Sequence, residues 1–227
     1  MLNVYQALLD FIFPPHCPLC GAYVETQGGF CPECLAGALD VRPLALPPGS
    51  PLAGAWALGH YRGGLAALIK RLKYKGQRSA LPYFRTFLEA CENKLPQELH
   101  GILAPGSGWL LVPVPLHRDK EKQRGFNQAE LIFHDWLAAR GLSTQPLLRR
   151  CRPTRPMYEL SAGERRQNLK DAFVLADEGA KQAAGKSGIL LLDDIITTGS
   201  TLSECARVLR KAGAARVEAL VVASDKD

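Results

Sequence analysis

The sequence predicts an α/β protein in which a mostly parallel sheet is flanked by helices and preceded by a small cysteine-rich domain. Two observations lead to this prediction. From Trp109 onward, short apolar runs alternate with helical patterns, and runs such as residues 189–192 and 220–222 contain no polar residue. Such runs are typical of strands that are covered on both faces. Four cysteines lie in two close pairs within residues 17–34, and they indicate a separate small unit.

The chain length of 227 residues suits one main domain and a smaller one. A stiff linker is indicated by residues 40–54, which contain four prolines and two glycines. We therefore expect a zinc-binding domain over residues 1–40, a proline-rich linker over residues 41–54 and an α/β domain over residues 55–227.

No segment approaches the roughly 18 uninterrupted apolar residues that a membrane span needs. The partly apolar start is interrupted by Gln6 and Asp10 and lacks the basic first region and small-residue cleavage site of a secretory leader. We expect a cytoplasmic protein that does not insert into membranes.

Charge is unevenly distributed along the chain. Residues 1–61 carry one arginine and four acids, a net charge of −3. Because the whole chain has a net charge of +6, residues 62–227 carry +9. Such a basic body suggests anionic partners, although an excess of this size is also common on solvated surfaces.

The two cysteine pairs, Cys17–Cys20 and Cys31–Cys34, have the spacing of a tetrahedral four-thiolate Zn²⁺ site. The segment is too short to fold on its own core, so zinc would have a structural role. Disulfides or a thioredoxin-like redox pair are the alternatives, but neither an export signal nor a βαβ context supports them. The remaining cysteines are expected to be small buried apolar residues: Cys91, Cys151 and Cys205.

The periodicity assigns the elements of the main domain in order. Residues 55–61 alternate like a strand, and residues 62–91 form two helices broken at Gly76. Further strands are predicted at 109–115, 172–177, 188–194 and 216–224, with helices at 124–141 and 201–213. The basic run over residues 62–78 is interpreted first as a solvated helix face, and alternatively as a phosphate or nucleic-acid track in which Tyr74 is the aromatic available for stacking.

Asp193 and Asp194 end a predicted buried strand, where ligands of parallel sheets bind. The loop that follows offers backbone N–H groups, hydroxyls and a helix N-terminus to a phosphate, through Thr197, Thr198, Gly199, Ser200 and Thr201. It lacks the lysine of a Walker loop. The carboxylates suit sugar hydroxyls and a Mg²⁺ ion bound to the same ligand. A ribose 5-phosphate satisfies both halves of this pattern.

Residues 189–201, "ILLLDDIITTGST", resemble the phosphoribosyl pyrophosphate (PRPP) motif of type I phosphoribosyltransferases. The segments at 112–132 and 160–173, with "RGFNQ" at 124–128 and the four cysteines, are similar to the ComF/GntX family of competence and DNA-utilisation proteins. This resemblance implies a phosphoribosyltransferase-like fold behind a zinc knuckle.

The resemblance also implies roles for particular residues. Asp193 and Asp194 would contact the ribose hydroxyls, residues 197–201 would hold the 5-phosphate, and a mobile loop would span residues 152–168. The pyrophosphate loop would be Pro115, Leu116, His117 and Arg118. The acidic pair would act in transfer together with cations drawn from Arg118, Arg124, Arg165 and Arg166. The family's mobile loop has a glutamine after its TxP sequence, where this chain has Met157.

Two functions follow as expectations. The first is uptake or utilisation of single-stranded DNA, with competence or DNA-processing proteins as partners and with PRPP as a bound ligand. The second is Mg²⁺-dependent transfer of phosphoribose from PRPP to a nucleophile. A PRPP-responsive transcriptional regulator is disfavoured, because no helix-turn-helix segment can be identified.

Overall fold

The computed structural model describes residues 11–153, 162–176, 183 and 188–226. The helices are α1 Pro32–Ala38, α2 Gly63–Lys75, α3 Leu81–Glu92, α4 Gln97–Ile102, α5 Arg118–Arg124, α6 Gln128–Ala138, α7 Ala162–Leu169 and α8 Ser200–Lys211, with a 3-10 turn at Arg78–Ala80. The strands are β1 Leu39–Pro43, β2 Gly54–His60, β3 Trp109–Pro113, β4 Leu148–Arg150, β5 Phe173–Leu175, β6 Gly188–Ile196 and β7 Val217–Ser224.

The central sheet has five strands in the order β1-β2-β7-β6-β3. The last four strands in this order pair in parallel, and β1 pairs antiparallel with β2 at one edge. Every residue of β7 is buried, and so are all residues of β6 except Ile195. The mostly parallel α/β sheet that the apolar runs predict is confirmed.

Helices cover both faces of this sheet, and the alternation along β6 assigns its side chains to two cores. Leu190 and Leu192 pack with α2, α3 and α6 on one face. Ile189 and Leu191 pack with α8 and the β4–β5 pair on the other face. Adjacent side chains at the end of β6 are therefore expected on opposite faces, which matters for the acidic pair.

Two predicted elements differ from the structure. The helix predicted over residues 124–141 is two helices, because Gly125 adopts a left-handed backbone (φ +77°) that ends α5 and Asn127 caps α6. The strand predicted over residues 172–177 is confined to β5 and pairs with β4 in a separate two-stranded sheet. A two-strand ladder of this kind cannot be distinguished from a sheet strand by its apolar pattern alone.

The proline-rich segment contributes directly to the sheet. Its first residues form β1, in which Pro43 lies opposite Trp56 of β2. Proline is tolerated here because β1 is an edge strand. The segment from residue 44 to residue 53 then connects β1 to β2.

The cysteine-rich segment packs against the main domain. Leu19 lies against Gly64 in the first turn of α2, and the Phe30 ring meets Tyr83 of α3 edge to face at 5.9 Å. The Tyr83 hydroxyl also donates a hydrogen bond to the His16 carbonyl at 3.4 Å. The knuckle therefore rests on the same helices that cover one face of the sheet.

The lone cysteines differ in their environments. Cys91 and Cys205 are fully buried, as predicted. The prediction is wrong for Cys151, which is exposed just after β4, because the short ladder leaves its end open to solvent. Among the helices that the structure describes, none combines the length and apolarity needed to cross a bilayer.

Replacing Gly64 with alanine is expected to disturb this packing. The added Cβ would lie 2.6 Å from the Leu19 Cα atom, so the knuckle backbone must move. We expect a loss of about 1–3 kcal/mol in the free energy of unfolding, measured by urea denaturation. The matched control is Gly101→Ala in α4, where the Cβ meets open space, and its stability should be unchanged or slightly higher. Equal stability of the two variants would contradict the packing described.

Candidate functional site

The four predicted zinc ligands come together in space. The sulfur atoms of Cys17, Cys20, Cys31 and Cys34 all lie within 4.8 Å of one another, and every one of these thiols is free of a disulfide. The Cys20 and Cys31 Sγ atoms are 3.7 Å apart. A tetrahedron with Zn–S bonds of about 2.3 Å requires sulfur separations of about 3.8 Å. The donor set therefore fits a structural zinc ion.

Tight turns orient these thiols. The Gly21 N–H donates to the Cys17 carbonyl at 2.9 Å, with Gly21 at φ +78°, and the Leu35 N–H donates to the Cys31 carbonyl at 3.0 Å. Burial raises the pKa of the Cys17 thiol, but backbone hydrogen bonds, above all at Cys31, outweigh it and lower that pKa to about 7. The thiolate form that metals require is thus favoured at Cys17, whereas the side-chain hydrogen bond with Cys31 raises the pKa of the Cys34 thiol.

The acidic pair lies at the carboxyl end of β6, and both side chains are buried. Asp194 is 2% exposed and Asp193 is 9% exposed. The Asp194 N–H donates to the Asp193 carboxylate at 2.8 Å. The alternation of the strand directs Asp194 toward α2, whereas Asp193 lies on the α8 side, where its charge helps to raise the pKa of the buried Cys205 thiol.

Lys73 of α2 is a site residue that the sequence analysis missed. Its Nζ atom lies 3.1 Å from Asp194 Oδ2 and 3.5 Å from Oδ1, and its side chain is 20% exposed. The apolar residues Leu65, Leu68, Ile69 and Leu72 of this helix are buried. Lys73 follows Ile69 by four positions, so it continues the inward stripe. A lysine on an apolar stripe was the available signal.

The two carboxyl groups titrate in opposite directions. Burial, and then the neighbouring Asp194 charge, raises the pKa of Asp193 well above its usual value. Burial also opposes ionisation of Asp194, but the Lys73 charge outweighs it and lowers the pKa of Asp194. The acids in turn raise the pKa of Lys73 against its own desolvation. Asp194 is therefore the ionised partner of Lys73, and Asp193 holds a proton more readily.

The hydroxyl loop connects β6 to α8 as predicted. Gly199 has a left-handed backbone (φ +79°) and precedes the first residue of α8. The Thr198 and Ser200 hydroxyls are 2.9 Å apart, and residues 197–201 are half-buried. The ammonium of Lys226, which lies beyond β7, donates a hydrogen bond to the Thr198 carbonyl at 3.3 Å. This second cation was also missed, because nothing in the local pattern links positions so far apart.

The predicted pyrophosphate loop leaves β3 beside the acidic pair. The Val114 N–H donates to the carbonyl of Leu192, the residue before Asp193, at 2.9 Å. His117 pairs with Arg150 in a parallel bridge and accepts the Asp119 N–H at the start of α5. Arg118 is exposed on the first residue of that helix. The loop and the acidic pair thus share one edge of the sheet.

The "RGFNQ" segment fastens this loop to the end of α2. Arg124 donates to the Gln128 side chain at 2.8 Å and lies over the Tyr74 ring at 5.8 Å. In the reciprocal contact, Arg78 lies over the Phe126 ring at 5.2 Å. Each segment therefore supplies one arginine and one aromatic ring to the other.

Asn127 completes the attachment. Its side chain accepts the Ala129 N–H at 3.0 Å, which caps α6, and donates to the Val114 carbonyl at 3.0 Å. The second bond ties α6 to the end of β3. The conformation of the loop between them is therefore fixed from both sides.

Cations gather around the acidic pair. Burial lowers the pKa of Arg124, an effect that the Asp194 charge opposes. Burial also lowers the pKa of Lys120, with the nearby charges of Arg150, Arg124 and Lys73 adding to the effect. This edge of the sheet therefore carries several positive charges close to two carboxyl groups, an arrangement suited to an anionic, hydroxyl-bearing ligand with its own cation.

Part of the predicted site lies outside the described residues. This is true of Met157 and of the rest of residues 154–161, within the predicted mobile loop, which are not described. Arg165 and Arg166 lie on α7, and the structure describes the backbone of these two residues but not their side chains. The roles predicted for the acidic pair, the hydroxyl loop, the pyrophosphate loop and these arginines stay predictions.

Zinc content tests the knuckle. We expect one zinc per chain by elemental analysis, since the described residues form one four-cysteine cluster. Cys20→Ser should lose the metal and lower the melting temperature, because the knuckle has little core of its own. Cys151→Ser, at an exposed cysteine outside the cluster, is the control and should keep its zinc. Full zinc content in Cys20→Ser would contradict the assignment.

Replacing each member of the acidic pair with asparagine is expected to change the free energy of unfolding in opposite directions. A raised folded-state pKa means that ionising Asp193 costs stability as the pH rises above about 3.9. Asp193→Asn should therefore stabilise the protein at pH 7, with a gain that shrinks toward pH 4. Asp194→Asn should lose about 1–3 kcal/mol at pH 7, because Lys73 loses its partner.

Urea denaturation over a pH series measures both effects. The stability supplied by Asp194 is present above the usual carboxyl pKa and is lost as the pH falls through its lowered folded-state pKa. The Asp194→Asn penalty should therefore shrink in acid. Destabilisation of equal size in both variants at pH 7 would contradict the separate environments of the two acids.

Two family models match the chain. The double zinc ribbon domain matches residues 8–54, and the phosphoribosyl transferase domain matches residues 166–227. The first match covers the cysteine cluster and the proline-rich segment. The second covers the end of α7, then β5, β6, the hydroxyl loop, α8 and β7. A phosphoribosyltransferase-type domain behind a zinc ribbon is therefore confirmed.

Curated relatives match along most of the chain. Competence protein F of Haemophilus influenzae is 31% identical over 215 residues, covering 90% of this chain and 82% of the relative. DNA utilization protein YhgH of Escherichia coli K12 is 31% identical over 210 residues, covering 89% and 87%. Competence protein ComFC of Bacillus subtilis is 26% identical over 203 residues, covering 88% and 73%. The chain therefore belongs to the ComF/GntX family of competence and DNA-utilisation proteins.

Proposed function

We propose that this protein binds PRPP together with Mg²⁺ at the carboxyl edge of its sheet and acts in the uptake or utilisation of single-stranded DNA. One observation supports the ligand above all. A buried acidic pair and a hydroxyl loop at a helix N-terminus adjoin each other at the end of β6. A ribose 5-phosphate needs both a diol acceptor and a phosphate cradle, and this edge of the sheet offers the two side by side.

Each part of the ligand has a matching group. The carboxylates of Asp193 and Asp194 would accept hydrogen bonds from the ribose hydroxyls. The backbone amides and hydroxyls of residues 197–201 would hold the 5-phosphate, with the Lys226 ammonium close to Thr198. Residues 115–118 would face the pyrophosphate. Carboxylate and phosphate oxygens are the ligands that Mg²⁺ prefers, and the ion would neutralise the pyrophosphate charge.

The DNA role is supported by the names of the relatives and by the positive charge of residues 62–78. Relatives that match most of the chain are named for competence and for DNA utilisation. Residues 62–78 carry no acid, and Lys70, Arg71 and Arg78 on this segment are exposed. Exposed cations bind the phosphates of a strand and release its counterions. We place this activity in the cytoplasm, with competence or DNA-processing proteins as partners.

Phosphoribosyl transfer is the second candidate, favoured by the match of residues 166–227 to the phosphoribosyl transferase domain. The bond between C1 of PRPP and its pyrophosphate oxygen would break, and pyrophosphate would leave with the electron pair. A nucleophile would bond to C1 and release its proton to water. Cations such as Arg118, Arg124 and Arg165 would stabilise the departing charge, and a closed loop would exclude water.

Calorimetric titration tests the proposal. PRPP with Mg²⁺, and separately a single-stranded oligonucleotide, are titrated into wild type, Asp193→Asn and Asp194→Asn. We expect PRPP affinity to fall at least about tenfold in both variants, a loss of about 1.4 kcal/mol, because each removes a charged acceptor. Asp193→Asn is expected to be well folded, so its loss reports binding. Oligonucleotide binding should be retained and should weaken with rising salt.

Asp135→Asn is the matched control, because Asp135 is an exposed carboxylate on α6. Its PRPP affinity should equal that of wild type. Unchanged PRPP affinity in Asp193→Asn and Asp194→Asn would overturn the site, and absent or salt-independent oligonucleotide binding would overturn the DNA role. Release of pyrophosphate in the presence of a nucleobase or amine would establish transfer.

A further inference from the structure

We propose that the ring of Tyr74 is a stacking surface for a nucleobase, placed so that a base carrying phosphate groups lies beside the acidic pair. The proposal rests on the proposed function, since it names the second ligand of the same sheet edge. The ligand class is an aromatic base bearing phosphate, which an end of a single strand or a free nucleotide can supply.

Tyr74 is a largely exposed aromatic residue whose ring carries the Arg124 guanidinium on one face. Its exposed fraction is 69%. The described residues include four other exposed large apolar side chains, all in the cysteine-rich segment and none near the acidic pair: Phe11, Ile12, Phe13 and Tyr23. An aromatic ring held in solvent at a binding site is available to stack on a ligand.

Arg124 links this ring to the site, since it lies over the ring at 5.8 Å and the Asp194 charge acts on it. Tyr74 directly follows Lys73, whose ammonium contacts Asp194 at 3.1 Å. The helix ends one residue later, and Gly76 turns the chain away with a left-handed backbone (φ +60°). The ring therefore stands on the last turn of α2, with no further helical turn to cover it.

Arg124 limits the positions that the Tyr74 ring can take. Its guanidinium lies over the ring at 5.8 Å and is itself fixed by the hydrogen bond to Gln128. The contact limits the motion of an otherwise solvated side chain, which lowers the entropy cost of stacking. A planar guanidinium also stacks on bases, so the pair forms a wider surface than the ring alone.

The surrounding charge selects a phosphorylated base. Lys73, Lys120 and Arg124 lie close enough together for their charges to act on one another. Lys70, Arg71 and Arg78 extend the positive charge along the exposed side of the same segment. A neutral aromatic ligand would use the ring but not these cations, whereas a nucleotide uses both.

The test compares four proteins: wild type, Tyr74→Leu, Tyr74→Phe and Tyr23→Leu. Fluorescence anisotropy measures a fluorescein-labelled thymidine oligonucleotide at fixed salt, and calorimetry measures thymidine 5′-monophosphate and PRPP with Mg²⁺. Tyr74→Phe keeps the ring and removes the hydroxyl. Tyr23→Leu removes an equally exposed ring (66%) from the cysteine-rich segment.

We expect Tyr74→Leu to weaken binding of the base-bearing probe about tenfold, with Tyr74→Phe and Tyr23→Leu close to wild type. PRPP affinity should be unchanged in Tyr74→Phe and Tyr23→Leu, both of which keep an aromatic ring under Arg124. A loss confined to the oligonucleotide identifies a DNA strand as the source of the base, and a loss with the monophosphate as well identifies a site for a single nucleotide.

Wild-type affinity of Tyr74→Leu for both base-bearing probes would overturn the proposal. An equal loss in Tyr74→Phe or Tyr23→Leu would also overturn it, because the ring at this position would not be the cause. Failure of the PRPP proposal is distinguishable, since it shows as absent PRPP binding in wild type whatever the base-bearing probes do.

Discussion

The ion pair between Lys73 and Asp194 is the contact on which the rest of the site depends. Two adjacent carboxyl groups buried at the end of a strand would repel each other and would be costly to desolvate. The Lys73 ammonium, 3.1 Å from Asp194, keeps one of them ionised. Burial and the Asp194 charge raise the pKa of the other, Asp193, which therefore binds its proton more readily. Because Lys73 belongs to α2 and Asp194 to β6, the same contact fixes the helix against the edge of the sheet.

The parallel sheet explains why so many functional groups meet at this edge. The carboxyl ends of β3 and β6 lie side by side, so the loop after β3 and the loop after β6 face one space. The two faces of the sheet also direct side chains to this edge. Lys73 comes from the α2 face, and Asp193 points to the α8 face. The "RGFNQ" segment joins these parts, since it caps α6, ties it to β3 and clamps the end of α2.

Local sequence patterns predict some of this arrangement and not the rest. The parallel sheet, the four-thiolate cluster and the acids at the end of a buried strand follow from spacing and periodicity, which are local properties. The apolar stripe of α2 marks Lys73 as an inward lysine, but neither its partner Asp194 nor the contact of Lys226 with Thr198 can be assigned locally, because these residues meet only after the chain has folded back. The helix predicted from Arg124 was begun too early, because Arg124 is the last residue of the polar helix α5 and the left-handed turn at Gly125 separates it from α6. The role of β1 was hidden by prolines that an edge strand tolerates.

A double-mutant cycle of Lys73→Met and Asp194→Asn, followed by urea denaturation at pH 7, tests the central interaction most directly. Each single change leaves a buried or partly buried polar group without its charged partner, whereas the double change removes both charges. The ion pair predicts a coupling free energy of at least about 1 kcal/mol, with the double variant less destabilised than the sum of the single variants. Additive losses would contradict the account, because they would mean that the two side chains stabilise the protein independently.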